Sequence, residues 1–460
     1  MLLDLFYPSD GADIEAVEAQ DSPRPAAPAS LRPKSTNSLS PLLDDPSRIL
    51  FLDIETTGLS RYYDYVTLIG FAIGGTFEVL IAGDNPQPFF NALARANSLV
   101  TFNGSGFDLP FLEDTLGPIN WPKHHVDLRY ACRAMDRTGG QKEIEKALGI
   151  DCRDGVEDVD GAAAVVLWHR YMRGDRSALR QLIEYNRADV QAMGLILTHV
   201  VKERATKDLF LRADSLFELC VTRFGRRGLA SPEAALPAPP LHLRKVVHFV
   251  DLFRGTRAEN ATIVGLDLTG SAERPSGFSL MRGSVAETAV LGTDEAILEA
   301  VFAAAPDIVS IDSPLCLPLG RTRVTDDDPT RQTAGIMRIS ERILKRRGIN
   351  VYPCLLPSMQ KLTERGIRLA QAIRARGISV IECYPGAAQD IMGIPRKGAG
   401  EEWLKLGMSE FGVTGPFTSQ KVTHDELDAI TCCLVGSFHL AGRTEALGGE
   451  GEEPMMVPVL

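Results

Sequence analysis

Two carboxylates stand two residues apart at the end of an apolar run, in the stretch FLDIETTGLS at residues 51 to 60. Successive side chains of a strand point to opposite faces, so Asp53 and Glu55 would share one face. Like charges side by side are costly unless a cation lies between them, and a divalent metal ion is the usual cation. The stretch therefore predicts a strand that ends at a metal site.

Further groups with the same chemistry follow in the next 135 residues or so. Asp108 comes just after the apolar run NSLVTFNG, at the start of a predicted helix. Tyr185 and Asp189, in EYNRADV, are four residues apart and would lie on one face of a helix. Hydrolysis assisted by two metal ions needs about four carboxylates around ions roughly 4 Å apart, and a group that orients the attacking water. Asp53, Glu55, Asp108 and Asp189 supply the carboxylates, and Tyr185 supplies that group.

A second set of acidic residues repeats this plan later in the chain. Asp267 ends the apolar run of GLDLTGS, Asp312 ends that of IVSIDSPL, and Glu382 lies in IECYPG. HDELDA places Asp425 and Asp428 three residues apart, on one face of a helix. Acids on strands and a pair on the last helix again indicate a divalent metal site. All five are candidate catalytic residues, with Asp267, Asp425 and Asp428 as the metal ligands.

The elements that must position these acids are first strands and then helices. Short β-rich runs between residues 49 and 104 are punctuated by Gly, Asn and Asp and predict strands, whereas the apolar periodicity after residue 127 is helical. Strand runs recur beyond residue 261, and a closing helix is predicted over HDELDAITCCLVGSFHLAG. Strands with helices packed around them predict an α/β fold class, here two domains in tandem, each a mixed β-sheet flanked by helices.

Composition shifts divide the chain into four segments. Residues 1–47 are rich in Ala, Pro, Ser and Asp, which predicts a disordered leader. Residues 48–205 form the first predicted domain. Residues 206–260 form a helical and Pro-rich linker, because the prolines of ASPEAALPAPPLHL sustain neither a helix nor a central strand. Residues 261–455 form the second predicted domain.

Charge and cysteine usage exclude several classes of protein. The net charge of −11 argues against broad, unaided attraction to phosphate backbones, although bound metal ions would neutralise an acidic site. The eight cysteines form no CxxC pair, and His and Cys ligands at zinc-site spacing are missing, which argues against a zinc-dependent hydrolase. The N-terminus does not have the pattern of a signal peptide and no run is long enough to cross a membrane, so we expect a cytoplasmic protein.

The motifs DIETTG, NGSGFD and YNRAD, in this order, resemble the three motifs of the DEDD superfamily of 3′→5′ exonucleases, in the variant whose third motif is Tyr-x-x-x-Asp. The sequence between these motifs is similar to that of the bacterial YprB-type RNase-H-like exonucleases, over about residues 49–200. The resemblance implies that Asp53, Glu55, Asp108 and Asp189 bind two Mg²⁺ or Mn²⁺ ions and that Tyr185 holds or activates the water. It also implies that the substrate is nucleic acid with single-stranded 3′ ends, DNA or RNA.

The second half resembles a family of uncharacterised predicted nucleases of RNase H fold, distantly related to the RuvC resolvases, whose last helix also carries Asp-x-x-Asp-Ala. The resemblance spans about residues 262–455 and implies a second RNase-H-like domain with nuclease chemistry. In the helix predicted over RISERILKRRGI, Arg338, Arg342 and Arg346 are spaced by four and could meet phosphates.

Alternatives from other functional classes stay open at this point. The chain could be a nucleic-acid-binding scaffold in which one or both nuclease sites are inactive, and the arginines could form a solvated helix face. An ATPase of the actin-like superfold would need a second Gly-rich phosphate loop and an adenosine-binding Gly pair, and the sequence has neither. The intact acidic set in both halves favours an enzyme over the scaffold.

Overall fold

The computed structural model divides into two compact units, Met1–Leu243 and Arg244–Leu460. It describes residues 33–36, 39–156, 159–204, 223–224, 236–240, 248–271, 274–396 and 400–460. The boundary between the units falls inside the predicted linker. Most of that linker, and residues 1–32 of the predicted leader, lie outside the described residues.

The first unit is built on a six-stranded mixed sheet. Its strands are β1 (Ile49–Thr56), β2 (Val66–Ile73), β3 (Thr76–Ile81), β4 (Ser98–Thr101), β5 (His124–Asp127) and β6 (Arg223–Phe224). They are ordered β5-β4-β1-β2-β3-β6. β1 lies in the interior of the sheet, antiparallel to β2 and parallel to β4.

Helices cover both faces of this sheet. They are α1 (Ser40–Asp44), α2 (Gln87–Arg95), α3 (Asp108–Leu116), α4 (Leu128–Arg133), α5 (Gln141–Leu148), α6 (Gly161–Met172) and α7 (Arg176–Arg204). The core on the α6 and α7 side includes Ile49 and Phe51 of β1, whereas Leu50 and Leu52 lie in the core on the α2 and α3 side. Strand alternation therefore turns the next odd-numbered residues of β1 toward α7, which runs for 29 residues.

Residues of the predicted leader and of the predicted linker both contribute to this unit. Leu42 and Leu43 of α1 are buried in the first core, so the ordered chain begins before the predicted residue 48. β6 pairs in parallel with β3, although it lies in the predicted linker. Two adjacent leucines can bury apolar area even inside a segment whose average composition favours disorder, and composition alone does not show this.

The second unit is built on a seven-stranded mixed sheet. Its strands are β7 (Thr262–Asp267), β8 (Ser276–Arg282), β9 (Val285–Leu291), β10 (Ile308–Asp312), β11 (Ser379–Cys383), β12 (Thr444–Leu447) and β13 (Met455–Pro458). They are ordered β12-β13-β11-β10-β7-β8-β9. β7, β10 and β11 are parallel neighbours, so their carboxyl ends meet at one edge of the sheet.

The helices of the second unit also pack on both faces of its sheet. They are α8 (Phe249–Phe253), α9 (Asp294–Ala304), α10 (Arg331–Ala334), α11 (Ile339–Arg346), α12 (Gln360–Arg374), α13 (Pro385–Met392), α14 (Glu401–Glu410) and α15 (His424–Leu440). α15 approaches very closely at two glycines. A β-carbon at Gly265 would lie 2.0 Å from the carbonyl oxygen of Ala429, and one at Gly277 would lie 2.0 Å from that of Asp425. Glycine at these two positions lets the last helix lie against β7 and β8.

The second unit also extends beyond the predicted limits of 261 and 455. Phe249 and Phe253 of α8 are buried in its core, although the sequence assigned them to the linker. β13 continues to Pro458 and pairs in parallel with β11, so the strand crosses the predicted end of the domain. A segment of five residues that buries two phenylalanines is too short for periodicity to distinguish it from a linker.

The predicted α/β class is confirmed, since both units are mixed sheets flanked by helices. Within the described ranges, no helix is long and apolar enough to cross a bilayer.

Candidate metal centre

Three of the predicted ligands come together at the end of β1. Asp53 and Glu55 face α7, where Asp189 lies, and each of the three residues offers an oxygen within 4.8 Å of the others. Glu55 and Asp189 are buried, and Asp53 is partly buried. Among the residues that the structure describes, this is the one group of three or more His, Cys, Asp or Glu side chains that meets this geometry.

Burial and mutual repulsion make this acidic triad, Asp53, Glu55 and Asp189, unfavourable as three bare charges. Loss of solvation raises the pKa of Asp53 well above its ordinary value, and the charges of Asp189 and Asp108 raise it further. Burial and the charge of Asp189 likewise raise the pKa of Glu55. A divalent cation would remove both causes, because it offsets the repulsion and replaces the lost solvation.

Asp108 lies beside the triad and is held by the backbone of β1. The pairing of β1 with β4 runs from Ile49 to Phe51, and beyond it the N–H of Ile54 donates to Asp108 Oδ1 at 3.1 Å. Burial raises the pKa of Asp108 to about 7, against the lowering by backbone hydrogen bonds, and the charge of Asp108 in turn raises the pKa of Asp53. The fourth predicted carboxylate is therefore electrostatically coupled to the triad, although it lies outside the three-residue group.

Asn186 is a site residue that the sequence analysis missed. Its Nδ2 donates to Asp53 Oδ2 at 2.9 Å and to Glu55 Oε1 at 3.3 Å, so one buried amide joins the two strand carboxylates. The approach depends on Gly70 of β2, the cross-strand partner of Asp53, because a β-carbon there would lie 1.5 Å from Asn186 Oδ1. A glycine inside the strand run VTLIGFAI was the available signal, since such glycines mark close approach of another group.

Arg153 and Gln141 hold the third carboxylate, and the sequence analysis missed both. Arg153 Nη2 donates to Asp189 Oδ1 at 2.5 Å, and Gln141 Nε2 donates to the same oxygen at 3.1 Å. Arg153 in turn donates two hydrogen bonds of 2.6 Å to the carboxylate of Glu145, from Nε and from Nη2. Arg153 and Glu145 are both buried. Sequence pattern gives no signal for Arg153, which lies in a loop after α5.

Tyr185, one helical turn before Asp189, is buried and has two cations close to its ring. Lys142 Nζ lies 5.3 Å and the guanidinium carbon of Arg153 lies 5.7 Å from the centre of its ring. Burial, together with the charges of Asp189 and Glu55, holds the pKa of its phenol far above the usual range. The phenol is therefore neutral near pH 7.

The donor set fits a hard divalent cation. Each carboxylate of the triad has one oxygen bonded by a protein N–H, namely Asp53 Oδ2, Glu55 Oε1 and Asp189 Oδ1. The other three oxygens, Asp53 Oδ1, Glu55 Oε2 and Asp189 Oδ2, accept no hydrogen bond from the described part of the chain. Three carboxylates, two of them buried and one partly buried, thus offer oxygens of the kind that Mg²⁺ and Mn²⁺ prefer.

In the second unit, Asp267 and Asp312 are placed side by side. They are register partners at the ends of β7 and β10, on the face against which α15 packs at Gly265. Both of their charges act on the thiol of Cys432, one turn after Asp428 on α15. Asp428 is buried, and its Oδ1 accepts a bond of 2.8 Å from Gln389. Asp425 lies in the first turn of α15 and is partly exposed.

Glu382 does not share a face of the sheet with Asp267 and Asp312, although the sequence grouped it with them as a candidate catalytic residue. It is the register partner of Ile311, so its side chain points to the opposite face of the sheet from Asp312. There it binds Arg338 through two bonds of 2.6 and 2.5 Å, and it accepts the N–H of Leu315 at 2.8 Å. The carboxylate is thus fully engaged in a structural ion pair.

Arg338 is correspondingly not a phosphate-binding residue. It is fully buried and also donates to Glu341 at 2.9 Å. It stands before α11 in extended backbone, so it does not share the helical row of Arg342 and Arg346, both of which are exposed. The predicted basic face therefore loses its first member.

The sequence of residues 50–201 matches the RNase H superfamily. Among curated proteins, none has a significantly similar sequence. Similar solved structures include the apo form of a nuclease (23% identity over 37% of this chain and 80% of that one, TM-score 0.27). Another is NrnC of Brucella melitensis with bound Mg²⁺ (19% identity over 38% of this chain and 83% of that one, TM-score 0.24). A third is the family B DNA polymerase of Pyrobaculum calidifontis (13% identity over 89% of this chain and 53% of that one, TM-score 0.28). By the sequence match of residues 50–201, the first unit contains an RNase H-like domain. Its acidic triad has the composition of a metal centre.

Proposed function

We propose that the first unit is a metal-dependent nuclease that removes nucleotides from single-stranded 3′ ends of DNA or RNA. The observation that carries this proposal is the acidic triad, whose ligand oxygens lie within 4.8 Å of one another inside an RNase H-like domain. Buried carboxylates with raised pKa values and free oxygens are unfavourable without a bound cation, and groups of this kind cluster at functional sites. The 3′→5′ direction rests on the order of the three motifs in the sequence.

Asp53, Glu55 and Asp189 would hold the metal, with Asp108 completing the set for two ions. Bound Mg²⁺ or Mn²⁺ supplies Lewis-acid stabilisation of the phosphodiester oxygens and lowers the pKa of a bound water. The chain itself fixes the ligands. Asn186 holds the two strand carboxylates in one orientation, and the N–H of Ile54 fixes Asp108 at the edge of the site.

Tyr185 would orient the attacking water. Because its phenol is neutral near pH 7, it would do so by hydrogen bonding and not as a phenolate base. A Tyr185→Phe variant is then expected to turn over more slowly while it binds Mn²⁺ as the wild type does.

The test uses full-length protein with 5′-labelled single-stranded DNA and RNA of one sequence, in Mg²⁺, Mn²⁺ or EDTA. We expect a ladder of 5′-labelled products that shortens from the 3′ end, and no products in EDTA. Asp53→Asn should abolish the ladder, whereas Asp154→Asn, a matched change at an exposed acid outside the site, should retain it. Wild-type protein that leaves every substrate intact in Mn²⁺, or an Asp53→Asn variant that cleaves normally, contradicts the proposal.

We also propose a second nuclease centre in the second unit, which cuts internal bonds. Its support is the register pairing of Asp267 with Asp312 under the helix that carries Asp425 and Asp428. Circular single-stranded DNA has no 3′ end, so its linearisation reports this centre alone. Asp53→Asn protein should open the circles in Mn²⁺, and Asp267→Asn protein should not. If wild-type protein leaves the circles closed, the second unit has no such activity on DNA.

The scaffold remains the competing function and predicts a different pattern. It requires binding of single strands that is independent of metal and falls steeply with salt, with no hydrolysis by either unit. The same labelled strands, used in a binding assay with EDTA and a salt series, distinguish it from the enzyme.

A further inference from the structure

The residues around Asp189 form a second layer of contacts behind the acidic triad. α5 and the loop after it bring Gln141, Glu145 and Arg153 against α7. Gln141 Nε2 donates to the backbone carbonyl of Asp189 at 2.9 Å as well as to its side chain. The carboxylate of Asp189 is therefore fixed from one side by two different donors.

Both donors converge on one oxygen, Oδ1, and this leaves Oδ2 without a donor among the described residues. A buried carboxylate that pivots freely could offer either oxygen to an ion or turn away from it. A carboxylate with Oδ1 held by a guanidinium and an amide presents Oδ2 in one orientation. Pre-orientation of this kind lowers the cost of binding, because the side chain loses no further freedom.

Glu145 is what makes Arg153 rigid. Its carboxylate accepts two hydrogen bonds, from Nε and Nη2 of the guanidinium. Glu145 is buried, with only 3% of its surface exposed. Gln141 also donates to Glu145 at 3.1 Å, so Gln141, Glu145 and Arg153 are connected to one another and to Asp189. Lysine at position 153 would keep the charge but would not reproduce the planar, two-bond contact.

We propose that Arg153, clamped by Glu145, is a positioning residue that sets the affinity of the metal centre by holding Asp189. The inference rests on the proposed function, because it assumes that the triad binds a divalent metal. The direction in which metal affinity changes when Arg153 is removed distinguishes this role from a purely electrostatic one. A positive guanidinium so close to the ligands repels a cation, so a merely electrostatic Arg153 would weaken metal binding, and its removal would then strengthen it. A positioning Arg153 does the reverse.

The experiment measures Mn²⁺ binding to full-length protein without substrate, by electron paramagnetic resonance of free Mn²⁺. We compare wild type, Arg153→Met, Arg153→Lys, Glu145→Gln, and Asp154→Asn as the exposed neighbouring control. For Arg153→Met we expect Mn²⁺ affinity to fall about 10–100-fold, as for other groups that orient metal ligands. Arg153→Lys and Glu145→Gln should lose less, and Asp154→Asn should match wild type.

Circular dichroism melts establish which variants fold at the assay temperature. If Arg153→Met does not fold, the Mn²⁺ affinities of Arg153→Lys and Glu145→Gln test the inference instead. Each of these changes weakens the contact between Arg153 and Glu145 and replaces a side chain with one of similar size. Affinity that stays unchanged or rises in the folded Arg153 variants overturns the inference. With substrate, positioning also predicts that raised Mn²⁺ concentration restores kcat for Arg153→Lys.

Failure here is separable from failure of the proposed function. Wild-type protein that binds Mn²⁺ through Asp53 but cleaves nothing would refute the nuclease and still allow the Arg153 comparison. Wild-type protein that binds no Mn²⁺ would refute both. Cleavage by wild type, combined with equal Mn²⁺ affinity in all folded variants, would refute only the role of Arg153.

Discussion

The strand acids of the two units differ in the groups that bind them. In the first unit, Asp53 and Glu55 share one neutral amide, from Asn186, and keep one oxygen each without a donor in the described chain. In the second unit, Glu382 is bound by the guanidinium of Arg338 through two short bonds and by a backbone N–H. Both arrangements bury carboxylates on a strand, but only the first leaves ligand positions open.

Which face of the sheet an acid occupies decides between these two outcomes. Asp53 and Asp267 face a long helix that carries further acids, α7 and α15 respectively, so their charges accumulate. Glu382 faces the other side, where an arginine compensates it. For these strand acids, the face of the sheet therefore separates the candidate ligands Asp53 and Asp267 from Glu382, which forms an ion pair.

The largest effect should come from neutralising a carboxylate of the triad. Asp53→Asn should reduce metal-dependent cleavage of 3′ ends to background, because a metal ligand and one negative charge are lost together. Mn²⁺ at about 100 times its Kd should stabilise the first unit of the wild-type protein by about 2.7 kcal/mol and leave the first unit of the variant unchanged. Thermal melts with and without Mn²⁺ measure this. Glu382→Gln should retain the full metal-dependent stabilisation of the first unit. If this variant lost that stabilisation, the proposed difference between the triad acids and Glu382 would be contradicted.

Removing the partner of Glu382 should be the most damaging change to stability. Arg338→Met should destabilise the second unit by about 3–5 kcal/mol, because it leaves Glu382 and Glu341 buried without their cation. Urea unfolding followed by circular dichroism measures the loss. Arg342→Met, at an exposed position of the same helix, is the control. Equal midpoints for the two variants would mean that the buried ion pair is not structural.

Without metal, the first unit should lose stability as pH rises through the range in which Asp108 ionises. Burial raises the pKa of Asp108 to about 7 from an ordinary value near 4, so the folded protein binds more protons than the unfolded chain between these values. Stability in EDTA then falls with rising pH by at most about 1.4 kcal/mol per pH unit for each such carboxyl. Melts of wild type and Asp108→Asn from pH 4 to 8 test this, and a parallel pH dependence in both would contradict it.

Strand alternation made the acids of β1 predictable, because a two-residue spacing and a run of apolar neighbours are visible in the sequence. The position of Glu382 could not be predicted in this way. The face on which it lies is set by its register with Ile311 on a neighbouring strand, and register depends on tertiary pairing. The error at Arg338 concerned a helix boundary, since the spacing of four has meaning only inside α11, which begins at Ile339.

Asn186 and Arg153 could not be found by pattern for a further reason. Asn186 acts because α7 comes close to β2 at Gly70, and Arg153 acts because the loop after α5 lies against α7. Both are consequences of packing between elements distant in the chain, whereas the sequence signals used here are local. The strand glycines at positions 70 and 265 were visible, and they mark where a helix contacts each sheet.

The two glycines should therefore differ when each is replaced by alanine. At Gly265 the new β-carbon meets the backbone of α15, which cannot rotate away, and we expect a loss of about 1–3 kcal/mol from overpacking. At Gly70 it meets the side chain of Asn186, which can turn aside at smaller cost but would release Asp53 and Glu55. Urea unfolding and Mn²⁺ titration of both variants should show the larger stability loss for Gly265→Ala and the weaker metal binding for Gly70→Ala.

The smallest effect on stability should come from the exposed arginines of α11. Arg342→Gln should change the free energy of unfolding by less than about 0.5 kcal/mol, since the side chain is exposed, in contrast to buried Arg338. If Arg342 contacts a phosphate of a bound single strand, its loss should lower the slope of log K against log salt concentration by about 0.7. Fluorescence anisotropy with a labelled strand in EDTA measures the slope without hydrolysis. Arg323→Gln, exposed in the same unit but outside the helix, is the matched control. An unchanged slope for Arg342→Gln would make α11 a solvated face, and nucleic-acid binding by the second unit would then have to depend on other residues.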